Sequence, residues 1–187
     1  VDLAENKRLH AEYQSRIAVL TAKAREVLGP INLNSPKQLI PALQREVPSV
    51  ILTEFFWKKM DDDEEKHSTK KAVLERESKK HPVLRTMLEY RRRTTLRNFL
   101  TGIHKYTSER SDGRIYVCSK IRGDVTVTQR MSSSKPNLQN LPRDVQDEVD
   151  AALNVKRQYV SRFPGGSLAE ADQSQLELRV AAIASGD

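Results

Sequence analysis

One stretch of the chain decides the fold prediction: Asp172-Gln173-Ser174-Gln175-Leu176-Glu177-Leu178-Arg179-Val180. It stands where a predicted strand, residues 167–172, ends and a predicted helix, residues 174–184, begins. A carboxylate at a strand end projects beyond the sheet edge, where its oxygens suit Mg²⁺ and leave space for phosphates. The spacing of Ser174 and Glu177 also suits a capping box, which is a purely structural role. The stretch therefore predicts mixed α and β structure and leaves two uses open for its polar side chains.

The composition predicts a soluble protein with a polyanionic partner. Of the 187 residues, 37% are hydrophobic and 30% are charged, and the formal net charge is +7. A basic surface attracts polyanions and releases their counterions, so nucleic acid is the first partner expected and an anionic membrane surface the second. No apolar run approaches the ~20 residues that cross a bilayer, and the N-terminal residues lack the pattern of a signal peptide. We therefore expect a soluble, intracellular protein, and we predict nucleic acid and not a membrane as its partner.

The cysteine and the histidines favour neither a disulfide framework nor a zinc site. Cys118 is the single cysteine, which fits a reducing compartment, and we expect it to pack in a strand. The histidines show no ligand spacing with Cys118 or with each other. They are His10, His67, His81 and His104.

Helical periodicity marks the beginning of the chain. Apolar residues recur at helical spacing over residues 3–28, with Asp2 as N-cap, Glu5 as its capping partner and Gly29-Pro30 as the end. A second helix is predicted from Ser35-Pro36, where the serine hydroxyl caps the first turn.

Two features modify the helices that follow. In the second helix Gln38 is expected to reach back to the cap, and Pro41 predicts that this helix is short, kinked or restarted. Residues 60–71 contain no apolar side chain after Met60, which predicts a mobile tip.

Two further helices are predicted after this tip. Ser68 or Thr69 caps a short one that reaches Lys79, and a longer one runs from Pro82 to about Gly102. Four arginines of the longer helix are expected to stay exposed: Arg85, Arg92, Arg93 and Arg97.

Beyond residue 111 the pattern changes to short strands. Residues 115–118 and 125–128 are rich in β-branched and aromatic side chains, with Gly123 as a bend between them. Residues 155–160 are predicted as another strand and residues 164–166 as a turn.

Three segments resemble family A DNA polymerases. Residues 172–179 resemble the first palm motif of that family, Asp-Tyr-Ser-Gln-Ile-Glu-Leu-Arg, with Gln173 in place of the tyrosine. Residues 130–142 resemble the run Arg-Leu-Ser-Ser-Ser-x-Pro-Asn-Leu-Gln-Asn-Ile-Pro, although Gln129 precedes it where the family has glycine. In the third segment, residues 31–39 are similar to the opening of the second thumb helix. The later His81-Pro82 and Tyr90-Arg91 also resemble the family, at its long thumb helix.

The resemblance implies an α+β fold in which a helical thumb subdomain precedes part of an antiparallel-sheet palm. The expected boundaries are residues 1–110 for the thumb, with its mobile tip near residues 60–70, and residues 111–187 for the first part of the palm.

The resemblance also implies roles at the nucleotide site. Asp172 would be the palm carboxylate that bridges two Mg²⁺ ions, and Gln173 would lend its backbone carbonyl to one of them. Glu177 would be the steric gate that rejects a ribonucleotide at the sugar 2′ position. Ser174 and Gln175 would complete the dNTP site together with Gln173 and Glu177.

A second implied set of residues binds the primer-template. Its members near the growing end are Arg130, Asn137, Gln139 and Asn140. On the long thumb helix, Arg91 and Arg97 are expected to contact backbone phosphates, while Thr95 stands where the family often has lysine.

The expected function is part of a DNA-directed DNA polymerase of replication and repair, which adds dNTPs to a primer 3′ end by two-metal phosphoryl transfer. Two metals need more than one carboxylate, so we expect a complementary segment to bring the fingers and a second palm aspartate. We expect this chain to be inactive alone, and to work in the cytoplasm, near the nucleoid, of a bacterial or phage-infected cell.

Two alternatives remain open. The chain could be a non-catalytic module that binds primer-template DNA, although such a module has no use for a sugar gate at Glu177. A single-subunit RNA polymerase is a weaker alternative, because Glu177 and residues 136–142 both favour DNA.

Overall fold

The computed structural model describes residues 1–48, 69–123, 130–142, 152–171 and 175–186. Within these ranges the first part of the chain contains four helices: α1 (Leu3–Leu28), α2 (Pro36–Glu46), α3 (Lys71–Ser78) and α4 (Pro82–Thr101). A 3₁₀ turn follows at Ile103–Tyr106, and a fifth helix, α5 (Leu176–Ser185), lies near the other end. No helix in the described ranges is long and apolar enough to cross a membrane. The predicted tip at residues 60–70 lies outside the described residues except for Thr69 and Lys70.

Helix α1 has the bounds that its capping signals predict. An Asp2 carboxylate oxygen accepts a hydrogen bond from Glu5 N at 2.9 Å, which satisfies one free donor of the first turn. Gly29 ends the helix with φ 77°, a left-handed conformation that glycine adopts without steric cost.

Helix α2 begins at Pro36 as predicted, but its cap differs. Within the described residues the Ser35 hydroxyl makes no capping hydrogen bond, and Gln38 Oε1 accepts from Asn32 N at 2.7 Å instead. The glutamine therefore stabilises the preceding turn. Pro41 lies inside this 11-residue helix, which is short as expected and is not restarted.

Thr69 has a role different from the predicted cap. Helix α3 starts at Lys71, and Thr69 is buried against α4, where Arg91 donates to its backbone carbonyl and, at 3.2 Å, to its hydroxyl. Ser68 lies outside the described residues. The short helix is therefore joined to α4 by a side chain distant in sequence.

The prediction that Arg93 is exposed is wrong. This arginine is 8% exposed, and its Nε donates to the Glu89 carboxylate one turn earlier in α4. Met87, Tyr90 and Arg93 follow each other at helical spacing, so the buried stripe of α4 continues through the arginine. Glu89 neutralises the charge there, whereas Arg85 and Arg92 are exposed as predicted.

The helices pack around a main core between α1 and α4, with α2 against α1 and α3 against α4. A second cluster contains Leu9 and Tyr13 of α1, Leu100 of α4, and Leu153 and Val155. Tyr13 also donates its hydroxyl to the Leu153 carbonyl at 2.6 Å. Residues 152–158 thus close one end of the helical bundle.

The described strands form two antiparallel pairs. β1 (Thr107–Glu109) pairs with β2 (Ile115–Val117), and β3 (Lys120–Arg122) pairs with β4 (Ser132–Ser134). The predicted strand over residues 115–118 is confirmed as β2, which covers Ile115–Val117. The predicted bend at Gly123 is also confirmed. Cys118 lies exposed just beyond β2, not packed in a strand. Residues 125–128 lie outside the described residues.

Two predicted strands are wrong in the described residues. Val155–Gln158 forms a 3₁₀ helix, because the Asn154 side chain accepts from Lys156 N at 2.9 Å and caps a turn. Residues 167–171 have no regular structure, although the turn before them is confirmed: Gly166 N donates to Phe163 O at 3.0 Å.

Candidate functional site

The serine-rich segment around β4 is held by its own side chains. Ser133 is buried; its backbone N–H donates to Gln139 Oε1 at 2.9 Å, and its hydroxyl accepts from Leu138 N at 3.2 Å. The other end of the Gln139 amide donates to Met131 O at 2.9 Å. Gln139, predicted to bind DNA, therefore also fixes the segment's shape.

A neighbouring strand end supports the same segment. The hydroxyls of Ser119 and Ser133 lie 2.5 Å apart, and Ser119 Oγ also donates to Pro136 O at 2.7 Å. Asn137 Oδ1 accepts from Gln139 N at 3.1 Å and makes a turn of the kind asparagine favours. Asn137 and Asn140 are both exposed, so this hydrogen-bonded loop presents amides to solvent, and their contacts with DNA stay a prediction.

Arg130 and Glu177 meet, although 47 residues separate them in the chain. Arg130 Nη2 donates to Glu177 Oε1 at 2.7 Å, and the two side chains are 73% and 76% exposed. The pair joins Arg130, two residues before β4, to the first turn of α5. Two residues with predicted roles, one at the primer end and one at the sugar, thus lie side by side on an open surface.

Helix α5 positions Glu177 in its first turn, where a carboxylate interacts favourably with the helix dipole. Gln175, predicted for the dNTP site, precedes this helix in a left-handed conformation with φ 54° and is exposed. Large apolar side chains of α5 are also exposed: Leu176, Leu178, Val180 and Ile183.

The residues predicted to hold magnesium are outside the described part of the chain. Asp172, Gln173 and Ser174 fall in that gap, so the metal site and the capping box stay predictions. In the described ranges no group of three or more His, Cys, Asp or Glu side chains is arranged to hold a metal ion.

The two thumb arginines occupy different environments. Arg91 is half-buried against Thr69, and this burial lowers the pKa of its guanidinium. Arg97 is partly exposed, with Nη1 donating to Gln14 Oε1 of α1 at 3.1 Å and Nη2 to Asn98 Oδ1 at 3.3 Å. Arg97 is therefore the more accessible to a phosphate.

A groove along α4 adds residues that the sequence prediction did not include. Its volume is about 800 Å³, and its lining includes the apolar side chains of Leu88, Leu96 and Phe99. Lys71, Arg85, Arg91 and Arg92 are the basic residues of its lining. The basic face of α4 is the sequence signal that indicates this groove. The sequence prediction assigns phosphate contacts on that face to Arg91 and Arg97 and treats its other arginines as solvated.

The comparisons with known proteins agree with this architecture. The model of the family described as DNA polymerase family A matches residues 3–187. The chain belongs to DNA polymerase family A. The resemblance to family A DNA polymerases predicted from the sequence is thereby confirmed.

Individual relatives are bacterial polymerases. The chain is 34% identical over 191 aligned residues to "DNA polymerase I, thermostable" of Thermus aquaticus, covering 100% of the chain and 21% of the relative. It is 31% identical over 189 residues to DNA polymerase I of Bacillus subtilis, covering 100% of the chain and 20% of that protein. The chain thus spans about a fifth of the length of these relatives.

A solved structure shows the same fold. It is the POL domain of Pol1 from M. smegmatis in complex with DNA primer-template and dNTP, 29% identical, with a TM-score of 0.75 over 100% of this chain and 31% of that one. The prediction of an α+β fold, with a helical thumb followed by part of an antiparallel-sheet palm, is confirmed. The boundary at residue 110 stays a prediction.

Proposed function

We propose that this chain is part of a DNA-directed DNA polymerase that adds dNTPs to a primer 3′ end by two-metal phosphoryl transfer. The observation that carries the proposal is the contact of Arg130 with Glu177 at 2.7 Å, which brings together residues from two separate family motifs. A module that only bound duplex DNA would need the first residue and not the second.

Each side chain has a defined task in this reaction. Arg130, Asn137 and Asn140 hold the end of the primer-template duplex through donors that do not depend on sequence. Glu177 occupies the space of a ribose 2′-hydroxyl, so a ribonucleotide is rejected by collision and by loss of buried polar contacts. Gln173, Ser174 and Gln175 would line the nucleotide beside it.

Asp172 and the Gln173 backbone carbonyl would hold the metal. Carboxylate and carbonyl oxygens are the ligands that Mg²⁺ prefers, so the donor chemistry of these residues fits the ion. Bound there, two such ions would supply positive charge to the entering and leaving oxygens of the transferred phosphoryl group. Because they need more than one carboxylate, we propose a complementary segment that supplies the second aspartate and the fingers, and we expect the chain to be inactive without it.

The proposal is tested with Asp172→Ala in enzyme reassembled from this chain and the complementary segment. Loss of the carboxylate should lower single-nucleotide incorporation by roughly a thousandfold, or about 4 kcal/mol of transition-state stabilisation, and leave duplex affinity nearly unchanged. Both quantities are measured on primed template with Mg²⁺ and dNTP.

Asp112→Ala is the matched control. Asp112 is an exposed carboxylate in the β1–β2 turn that accepts from the Tyr116 hydroxyl at 2.6 Å, so its loss should leave incorporation unchanged. Equal activity of wild type and Asp172→Ala, or duplex binding without incorporation by the wild-type assembly, would support the DNA-binding module instead.

A further inference from the structure

The Arg130–Glu177 ion pair connects two residues to which the proposed function gives separate tasks. Its atoms Nη2 and Oε1 are 2.7 Å apart, the distance of a charge-assisted hydrogen bond. The arginine lies two residues before β4, and the glutamate lies on α5. The segment before β4 and helix α5 are therefore joined by two side chains with proposed roles: Arg130 at the primer end and Glu177 at the nucleotide sugar.

A steric gate works only if its carboxylate stays in one place. Glu177 has three rotatable side-chain bonds and is 76% exposed, so packing does not select its rotamer. The hydrogen bond from Arg130 does select one.

We propose that Arg130 is a positioning residue for the sugar gate: it holds the Glu177 carboxylate in place, so that selection of deoxyribonucleotides depends on the arginine at the primer end. The inference rests on the proposed function, because it requires that Glu177 faces the sugar. An exposed ion pair is weak and exchangeable, so its effect on selection is modest and separable from catalysis.

The experiment measures kcat/KM for a dNTP and for the matching rNTP with the reassembled enzyme. Arg130→Ala should lower the dNTP/rNTP discrimination ratio about two- to fivefold, the range that an exposed ion pair contributes. Glu177→Gln should do the same, because it keeps the size of the side chain and loses the charge. Arg130→Lys should restore most of the discrimination, since lysine can also pair with the carboxylate.

The double variant Arg130→Ala/Glu177→Ala shows whether the two residues act together. The arginine change should have no further effect on discrimination once the gate is gone. Arg122→Ala removes the same charge from the neighbouring strand β3 and should leave the ratio unchanged.

Three results separate the possible failures. If Arg130→Ala lowers kcat/KM equally for both nucleotides, or if the two changes are additive, Arg130 serves the primer alone and the positioning role is overturned. If Glu177→Ala itself leaves discrimination unchanged, the gate assignment falls, and the positioning role with it. Circular dichroism of each variant identifies any loss of folding.

Discussion

The Glu5 carboxylate accepts hydrogen bonds from two arginines, one of which is distant in sequence and could not be predicted from local residues. Its two carboxylate oxygens accept from Arg8 at 2.7 and 2.8 Å, and Oε1 also accepts from Arg157 Nε at 3.0 Å, 152 residues along the chain. These partners, Arg8 first, lower the pKa of Glu5 from 4.5 to about 2. The residue predicted as a capping partner therefore acts mainly as an anion for two arginines.

The depressed pKa predicts a pH dependence of stability. A carboxyl group whose folded pKa lies below its unfolded value stabilises the fold above the unfolded pKa, and this contribution is lost as pH falls. Stability should therefore decrease between about pH 4.5 and pH 2, and Glu5→Gln should make that decrease smaller. Urea unfolding of the chain at several pH values measures it.

Glu12→Gln is the control for this titration. Glu12 pairs with Arg16 on the same helix at 2.8 Å, whereas Glu5 pairs with Arg8 and Arg157. Glu12→Gln removes one carboxylate charge from α1 and keeps the Glu5–Arg157 contact, so it measures the effect of the charge change alone. An identical pH profile for Glu5→Gln and wild type would contradict the assignment.

At the scale of elements, a buried amide joins α1 to α4 and to the 3₁₀ turn at Val155–Gln158. Asn6 is 1% exposed; its Nδ2 donates to Gln158 Oε1 at 2.7 Å and to Leu100 O at 3.2 Å. Its Oδ1 lies 2.9 Å from His104 Nε2, which must then carry the proton. Asn6 precedes Leu9 on the buried stripe, so an amide occupies a position where the pattern favours an apolar side chain.

A double-mutant cycle tests this joint. Asn6→Leu leaves the Gln158 amide buried without this partner, which should cost about 1–3 kcal/mol of unfolding free energy, and Gln158→Met should cost a similar amount. The double variant should lose less than the sum, because both polar partners are then replaced by apolar groups. Strictly additive losses in urea unfolding would show that the two amides do not interact.

At the scale of the whole molecule, the net charge of +7 and the groove beside α4 favour contact with a polyanion. Arg97 is the accessible member of the two thumb arginines predicted to bind phosphate. Arg97→Ala in the reassembled enzyme should weaken primer-template binding equally for all sequences and reduce the slope of log K against log salt by about one. Binding titrations over a range of salt concentrations measure both.

Arg45→Ala provides the comparison for Arg97→Ala. Arg45 is an exposed arginine of α2 that pairs with Glu46 at 2.6 Å, so its removal changes the net charge equally. If both variants showed the same small loss of affinity, the effect would come from overall charge and not from a phosphate contact at Arg97.

The sequence alone determined the bounds of α1 and α4, the start of α2 and the resemblance to the family. Asp2, Gly29, Pro36 and Pro82 begin or end helices where they were predicted to do so, because caps and prolines act within one turn of the backbone. The family motifs likewise identified candidate site residues, since a long run of matching residues needs no knowledge of the fold.

Tertiary structure alone decided which distant residues meet. The burial of Arg93, the 3₁₀ turn at Val155–Gln158, the Asn6–Gln158 amide pair and the Arg130–Glu177 ion pair were not predicted. The amide pair and the ion pair join segments far apart in sequence, and the burial of Arg93 comes from packing around α4. The 3₁₀ turn is capped locally by Asn154, but its Val155 and Gln158 are buried where the turn packs against α1. Local propensity cannot predict the long-range contacts among these, because they stabilise the chain only once folding has brought distant segments together.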